Sequence, residues 1–277
     1  MKNIFITGNK EKEGCQEAAY RIRDYLQSKA KVVGIHLDKE LAVPDCPIDI
    51  VISLGGDGSF LNLVESLIDR NIPILGINFG RLGFLTAALA GELEDMLDAV
   101  IQNEIRITER MVLQLDLVLD DEIIMRRHSL NDVLVASPDL TRVTSLYVKI
   151  SDEPLIKIRG DGIILSTPTG STAHSLSVGG SIVDPELEAI LLTPMSPQSL
   201  SSRPLVVRPG VTIEIGMQLE GHQANIIGDG RPLQVLNYGA RVLVSKSPKT
   251  IKMVQPKDFM FFQRLREKLG WAEHYLK

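Results

Sequence analysis

Gly55-Gly56-Asp57-Gly58-Ser59-Phe60 follows an apolar run, Ile50-Val51-Ile52-Ser53-Leu54, and leads into Phe60, Leu63, Val64, Leu67 and Ile68 at helical spacing. A strand that ends in a glycine-rich turn and opens a helix is a place to hold phosphate. Glycines let the backbone come close, and the first N–H groups of the helix are unpaired donors. Gly55, Gly56, Gly58 and Ser59 are therefore the candidate floor for a phosphate donor. Asp57 is the unexpected residue, because a bare phosphate loop avoids negative charge. Two readings stand side by side: Asp57 stabilises the turn, as Asp often does, or it serves a metal ion or accepts a proton beside the phosphate.

Outward from this turn, residues 1–105 alternate strand and helix. Lys2–Thr7, Val32–Leu37, Asp49–Leu54 and Ile72–Ile77 read as strands. Residues 13–29 and 91–103 carry one apolar helical face each. Strands apolar on both faces, alternating with helices, indicate a Rossmann-like parallel sheet covered on both sides. Ligands of such sheets bind at the carboxyl ends of the strands, where Gly55–Ser59 and Asn78–Phe84 fall.

The period changes near Thr108. Short strand candidates follow at 112–119, 122–127, 130–136, 144–151, 155–159, 205–208, 211–217, 223–227, 241–245 and 250–254. This spacing indicates an all-β, antiparallel, sandwich-like second domain. One helix is expected at about 171–178, and Asp258–Lys277 reads as a helical tail. The expected division is 1–105, 106–255 and 256–277, with the tail packing back on the first domain.

Composition excludes several classes. Of 277 residues, 44% are hydrophobic and 23% charged, as in an ordinary globular protein. A net charge of -5 without a clustered basic face argues against a nucleic-acid partner. No apolar run reaches the roughly 18 residues of a membrane span, and the start lacks a signal-peptide pattern. Cys15 and Cys46 make neither a disulfide framework nor a metal spacing, so a cytoplasmic chain with two reduced thiols is expected. No Walker loop, dinucleotide fingerprint, nucleophile elbow or zinc motif is present.

Three further stretches follow strands. Gly76–Leu85 could wrap a planar group or a phosphate with Arg81 as counter-charge, or be a glycine-rich loop with a surface arginine. Asn131-Asp132 could hold a diol, because Asn donates and accepts while Asp accepts; the alternative is a strand-edge turn. Arg159 to Ser177 is the longest stretch. Five hydroxyl residues among seven (Ser166, Thr167, Thr169, Ser171, Thr172) exceed any capping need and suit phosphate or a ribose. His174 by itself is more often packed or exposed than catalytic.

These stretches together closely resemble the NAD kinase family. The resemblance rests on Gly55–Ser59, Gly76–Leu85, Asn131-Asp132 and Asp161–Ser177. It continues through Gly179-Gly180, Thr193–Leu200 and Arg203-Pro204-Leu205, from about residue 48 to 235. The first motif alone is shared with phosphofructokinases and diacylglycerol-type lipid kinases; the long one is specific. The resemblance implies transfer of the γ-phosphoryl of ATP, or of polyphosphate, to the 2′-hydroxyl of the adenosine ribose of NAD, giving NADP. It implies Asp57 as general base and Gly58 as an adjoining contact. It implies Asn131 and Asp132 on the ribose hydroxyls and adenine, and Asp161 on the nicotinamide side. Thr172, Ala173 and Ser177 match the adenine-end pocket, with Thr169 nearby and His174, Ser175 and Leu176 inside the same stretch. Arg142 and Arg159 align with positions that touch the dinucleotide. His174 stands where the family commonly has Tyr, Arg231 where it has Gln, Val178-Gly179-Gly180-Ser181 where it has Ala-Gly-Gly-Pro, and Asp132 where it has Glu. A homodimer or homotetramer is implied.

The chemistry suits a kinase without a Walker loop, since phosphoryl transfer needs mostly positioning and charge neutralisation. Mg²⁺ is expected on the triphosphate oxygens plus one or two carboxylates, with no protein ligand assigned. The inter-domain cleft is where the reaction is expected. A lipid or sugar kinase and a nucleotide-binding regulator without catalysis are the alternatives.

Overall fold

A computed structural model describes residues 1–38, 41–80, 82–139 and 142–271. Arg81 and the last six residues of the expected terminal helix lie outside the described residues. The chain divides into two units, Met1–Glu109 with Ile251–Lys277, and Arg110–Thr250.

The first unit begins with β1 (Asn3–Gly8), α1 (Cys15–Leu26), β2 (Lys31–His36) and β3 (Ile50–Leu54). Then come α2 (Asp57–Leu61), α3 (Val64–Leu67), β4 (Ile74–Asn78), β5 (Ala88–Leu89) and α4 (Leu93–Gln102). The strands pair in parallel in the order β2-β1-β3-β4, with β5 on β4. From β1 the chain goes to one side for β2 and returns to the other side for β3. The carboxyl ends of β1 and β3 thus flank a topological switch point, where open parallel sheets bind ligands. β3 is buried along its whole length, which accounts for its unbroken apolar run. Ile4, Ile6, Ile52, Leu54, Leu75 and Ile77 form a core with Ile22 and Leu26 of α1 and Leu97 and Val100 of α4. The single helix expected after Gly58 is two short pieces, parted near Asn62-Leu63.

The second unit is a sandwich of two sheets. Its strands are β6 (Ile105–Leu119), β7 (Glu122–Ser129), β8 (Asp132–Ala136), β9 (Thr144–Ile150), β10 (Glu153–Gly160) and β11 (Gly162–Ser166). After a 3₁₀ turn (Thr169–Thr172) and the one-turn α5 (His174–Ser177) come β12 (Ile190–Met195), β13 (Leu205–Val207) and β14 (Ile213–Met217). β15 (Gln223–Gly228), β16 (Arg231–Asn237) and β17 (Arg241–Pro256) complete it. One sheet has the order β10-β9-β14-β17, with β6 and β7 beyond; the other runs β13-β12-β11-β8-β15-β16 in antiparallel register. Leu115, Val148, Ile215 and Val242 of one sheet meet Val135, Ile163, Leu192 and Ile226 of the other in a common core. The chain enters this unit within β6 and leaves it within β17, where Met253 pairs in parallel with Ile74 of β4. Helix α6 (Phe261–Leu269) follows and buries Leu265.

The strand candidates read from the sequence omit β5, β11, β12 and β16, and proline hid two of these. Pro194 lies in β12 and Pro232 in β16, and proline argues against a central strand. β16 is an edge strand, and β12 pairs with β13 only over Ile190–Leu192, so both prolines stand where a ladder donor is dispensable. Candidates 241–245 and 250–254 are one strand, and 112–119 is part of β6, fifteen residues long. The expected helix at 171–178 breaks at Ala173. Among the described residues no helix is long and apolar enough to cross a membrane.

Candidate functional site

One group of candidate residues lies in the first unit. β3 ends at Leu54, and the chain turns through Gly55 at φ 129°, a conformation that L side chains rarely adopt. A Cβ there would also overlap the Ser59 hydroxyl. Asp57 starts α2. Its carboxylate is clamped by two backbone donors: Phe84 N–H to Oδ2 at 2.9 Å and Leu85 N–H to Oδ1 at 3.0 Å. A carboxylate has about four lone-pair sites, so two remain. Gly83 is required beside it, because an added Cβ would overlap the carboxylate. Gly58 is exposed, with open space around it. Lys12 Nζ donates to Ser59 Oγ at 2.8 Å, which brings a cation to the glycine turn. The Asn78 side chain ends β4 close to Gly56.

Another group of candidate residues lies in the second unit. Asn131 and Asp132 open β8. Their backbone is held by the carboxylate of Asp229, which accepts the N–H groups of Leu130 (2.8 Å), Asn131 (2.7 Å) and Asp132 (3.2 Å). Asp229 in turn donates its own N–H to Asp132 O at 3.0 Å. On the other side, Thr167 N–H donates to Asn131 O at 2.9 Å, and Thr167 Oγ1 donates to Leu130 O at 2.6 Å. Gly170 packs so closely that a Cβ would overlap the Asn131 carbonyl.

Part of the hydroxyl-rich stretch serves the fold. Thr167, Ser171 and Ser175 are buried, and their hydroxyls serve the fold: Ser171 bonds Pro168 O at 2.6 Å and Val183 N–H at 3.1 Å, and Ser175 bonds Thr193 at 2.9 Å. Ser175, expected among the ligand contacts, faces Thr193 instead of open space. Thr169 is buried, and Thr172 is half-buried, its hydroxyl 3.3 Å from Thr169 O. Ala173 and Leu176 are half-buried, and His174 and Ser177 exposed. Asp161 is half-buried between β10 and β11. Arg159 is exposed on β10, and Arg142 is exposed in the loop before β9.

Two carboxyls in this unit's group are perturbed. Burial, and then the neighbouring charge of Asp229, push Asp132 up to about 7 against a contact from the His174 backbone N–H. Burial also raises Asp229, opposed by its three backbone donors and by Arg231. Such a pair makes this loop a candidate for function. Sequence reading missed Asp229, Lys12 and the amides of Phe84 and Leu85. Asp229-Gly230 carries a visible turn signal, but nothing local ties it to Leu130, 99 residues away.

Among the described residues no three His, Cys, Asp or Glu side chains converge as a metal-ligand group.

Comparison with known proteins agrees with the motifs. Residues 4–105 match the model of the ATP-NAD kinase N-terminal domain, and 130–256 that of the ATP-NAD kinase C-terminal domain. The chain is 36% identical to the NAD kinase of Heliobacterium modesticaldum, covering 97% of this chain and 99% of that one. It is 37% identical to the NAD kinase of Teredinibacter turnerae, covering 99% and 98%. Among solved structures, yeast NADH kinase complexed with NADH superposes with a TM-score of 0.88 at 26% identity, covering 99% of this chain and 89% of that one. An NAD kinase from Archaeoglobus fulgidus in complex with ATP shares the fold, with a TM-score of 0.77 at 24% identity, covering 98% and 99%. With both halves of the chain matched and full-length relatives above 30% identity, the chain belongs to the NAD kinase family.

Proposed function

We propose that this chain transfers the γ-phosphoryl of ATP to the 2′-hydroxyl of the adenosine ribose of NAD, giving NADP, with Asp57 as the proton acceptor. The observation that carries the base assignment is the clamp on Asp57. Two backbone N–H groups fix the carboxylate in a glycine turn at the end of β3 while leaving lone pairs for a hydroxyl. Gly55, Gly56, Gly58 and Ser59 receive the donor phosphates, and the charge of Lys12 helps to neutralise them. Asn131 and Asp132 hold the adenosine hydroxyls and adenine. Thr172, Ala173 and Ser177 line the adenine end, and Asp161, Arg142 and Arg159 meet the rest of the dinucleotide. A divalent cation such as Mg²⁺ belongs to the donor's phosphate oxygens and supplies charge neutralisation there. A cytoplasmic location is read from the free thiols of Cys15 and Cys46, and a homodimer or homotetramer from the family resemblance.

The test is product formation with ATP or polyphosphate as donor and NAD or NADH as acceptor. NADP or NADPH formed from at least one pairing supports the reading. Dinucleotide binding without phosphorylation under any pairing and any divalent metal overturns it.

A further inference from the structure

We propose that Arg264 is a positioning residue for Asp57, so that helix α6 sets the orientation of the candidate base. The proposal rests on the reading of Asp57 given above. Arg264 Nη1 donates to two carbonyls, Gly83 O at 2.7 Å and Thr86 O at 3.0 Å. Between them lie Phe84 and Leu85, whose N–H groups hold Asp57. The loop is closed on itself by Gly83 N–H donating to Thr86 Oγ1 at 2.8 Å.

The Gly83 carbonyl and the Phe84 N–H belong to one planar trans peptide, and they point in opposite directions. Arg264 grips one edge of that plane, and Asp57 is bound at the other. Rotation of the plane would break both bonds together. A cation on the carbonyl also polarises the peptide and strengthens its N–H as a donor. Arg264 is itself fixed: its guanidinium lies 5.1 Å from the centre of the Phe259 ring. Phe261, at the start of α6, places its ring 6.5 Å from that of Phe84. Burial opposes the charge on Arg264, and Glu267, Asp57 and Glu92 offset it. The missing Cβ of Gly83 completes the arrangement, since any side chain there would push the carboxylate away.

Arg264 as a mere tie between α6 and the loop would contribute stability alone. A positioning role shows in the chemical step. The experiment compares wild type, Arg264→Met, Arg264→Lys, Asp57→Asn and the Arg264→Met/Asp57→Asn double variant, all full length, with ATP, NAD and Mg²⁺. It measures kcat, KM for NAD and Tm. Arg264→Met is expected to lower kcat roughly 10–100-fold with KM for NAD within about threefold, because orientation and not binding is lost. Arg264→Lys, which keeps a cationic donor, is expected to recover part of the loss. In the Asp57→Asn background Arg264→Met is expected to cost less than about a further twofold, since the group it orients is gone. Full multiplication of the two losses, or a lower Tm with kcat within about twofold of wild type, overturns the proposal alone. Asp57→Asn within about threefold of wild type overturns the base reading and the proposal with it. Should Arg264→Met not fold, Arg264→Lys is compared in the two backgrounds: a loss absorbed by Asp57→Asn supports positioning, and an undiminished loss overturns it.

Discussion

Asp229→Asn should loosen the loop that carries Asn131 and Asp132. In the native chain Oδ1 accepts the N–H groups of Asn131 and Asp132, and Oδ2 that of Leu130. An asparagine of the same shape keeps its oxygen on Asn131 and Asp132 and turns an NH₂ toward Leu130. The buried Leu130 N–H is then stranded, at about 1–3 kcal/mol. The two remaining bonds lose their charged acceptor and with it about half their strength. Removing a buried negative charge beside Asp132 returns part of this. The balance is a destabilisation of about 2–4 kcal/mol, or roughly 5–15 °C in Tm. KM for NAD should rise as the loop shifts. Asp132 should also fall from about 7 toward the ordinary carboxylate range, because one of its two raising causes is gone while burial stays. The pH below which NAD affinity weakens should therefore move down. Thermal melting and KM for NAD between about pH 5.5 and 8.5 measure all three effects. A Tm within about 1 °C of wild type together with an unchanged KM would refute the claim that these three bonds hold the loop.

Three further outcomes are expected. Asp132 binds a proton in the folded chain up to about pH 7, whereas in the unfolded chain it is ionised above about pH 4. Over that window the folded state holds the extra proton, so stability falls as pH rises. Asp132→Asn removes this slope, and its Tm advantage over wild type should grow between about pH 4.5 and 7.5; a constant difference contradicts it. Gly170→Ala drives a methyl into the Asn131 carbonyl. It should cost about 1–3 kcal/mol and raise KM for NAD more than it lowers kcat; unchanged melting and KM would contradict the packing. Lys12→Met removes the cation at Ser59 and should raise KM for ATP roughly tenfold or more while sparing KM for NAD. Equal changes in both constants would point to a folding defect instead.

How much was legible depended on whether the deciding physics was local. The parallel sheet was readable because Ile50–Leu54 and its neighbours are apolar on both faces, and the period change near Thr108 announced the antiparallel unit. β12 and β16 were hidden because Pro194 and Pro232 look like strand breakers, and only their edge-like pairing removes the conflict. The breaks at Asn62-Leu63 and Ala173 are not carried by side-chain spacing. At the site, the glycine turn and Asn131-Asp132 stood out as loops after or before strands. Their supports did not. Phe84 and Leu85 act through backbone N–H groups, which have no residue signature. Asp229 and Arg264 act across 97 or more residues of chain. Part of the abundance of hydroxyls between Ser166 and Ser177 reflects local and cross-loop bonding, since Thr167, Ser171 and Ser175 are spent on the fold.

The central claim is that Asp57 takes the proton from the dinucleotide hydroxyl. The most direct test is the rate of NADP formation by purified wild type and Asp57→Asn at saturating ATP, NAD and Mg²⁺. Wild type is predicted to form NADP, and Asp57→Asn to turn over roughly 10²–10⁴-fold more slowly, a barrier increase of about 3–5 kcal/mol. An Asp57→Asn variant within about threefold of wild type would contradict the account.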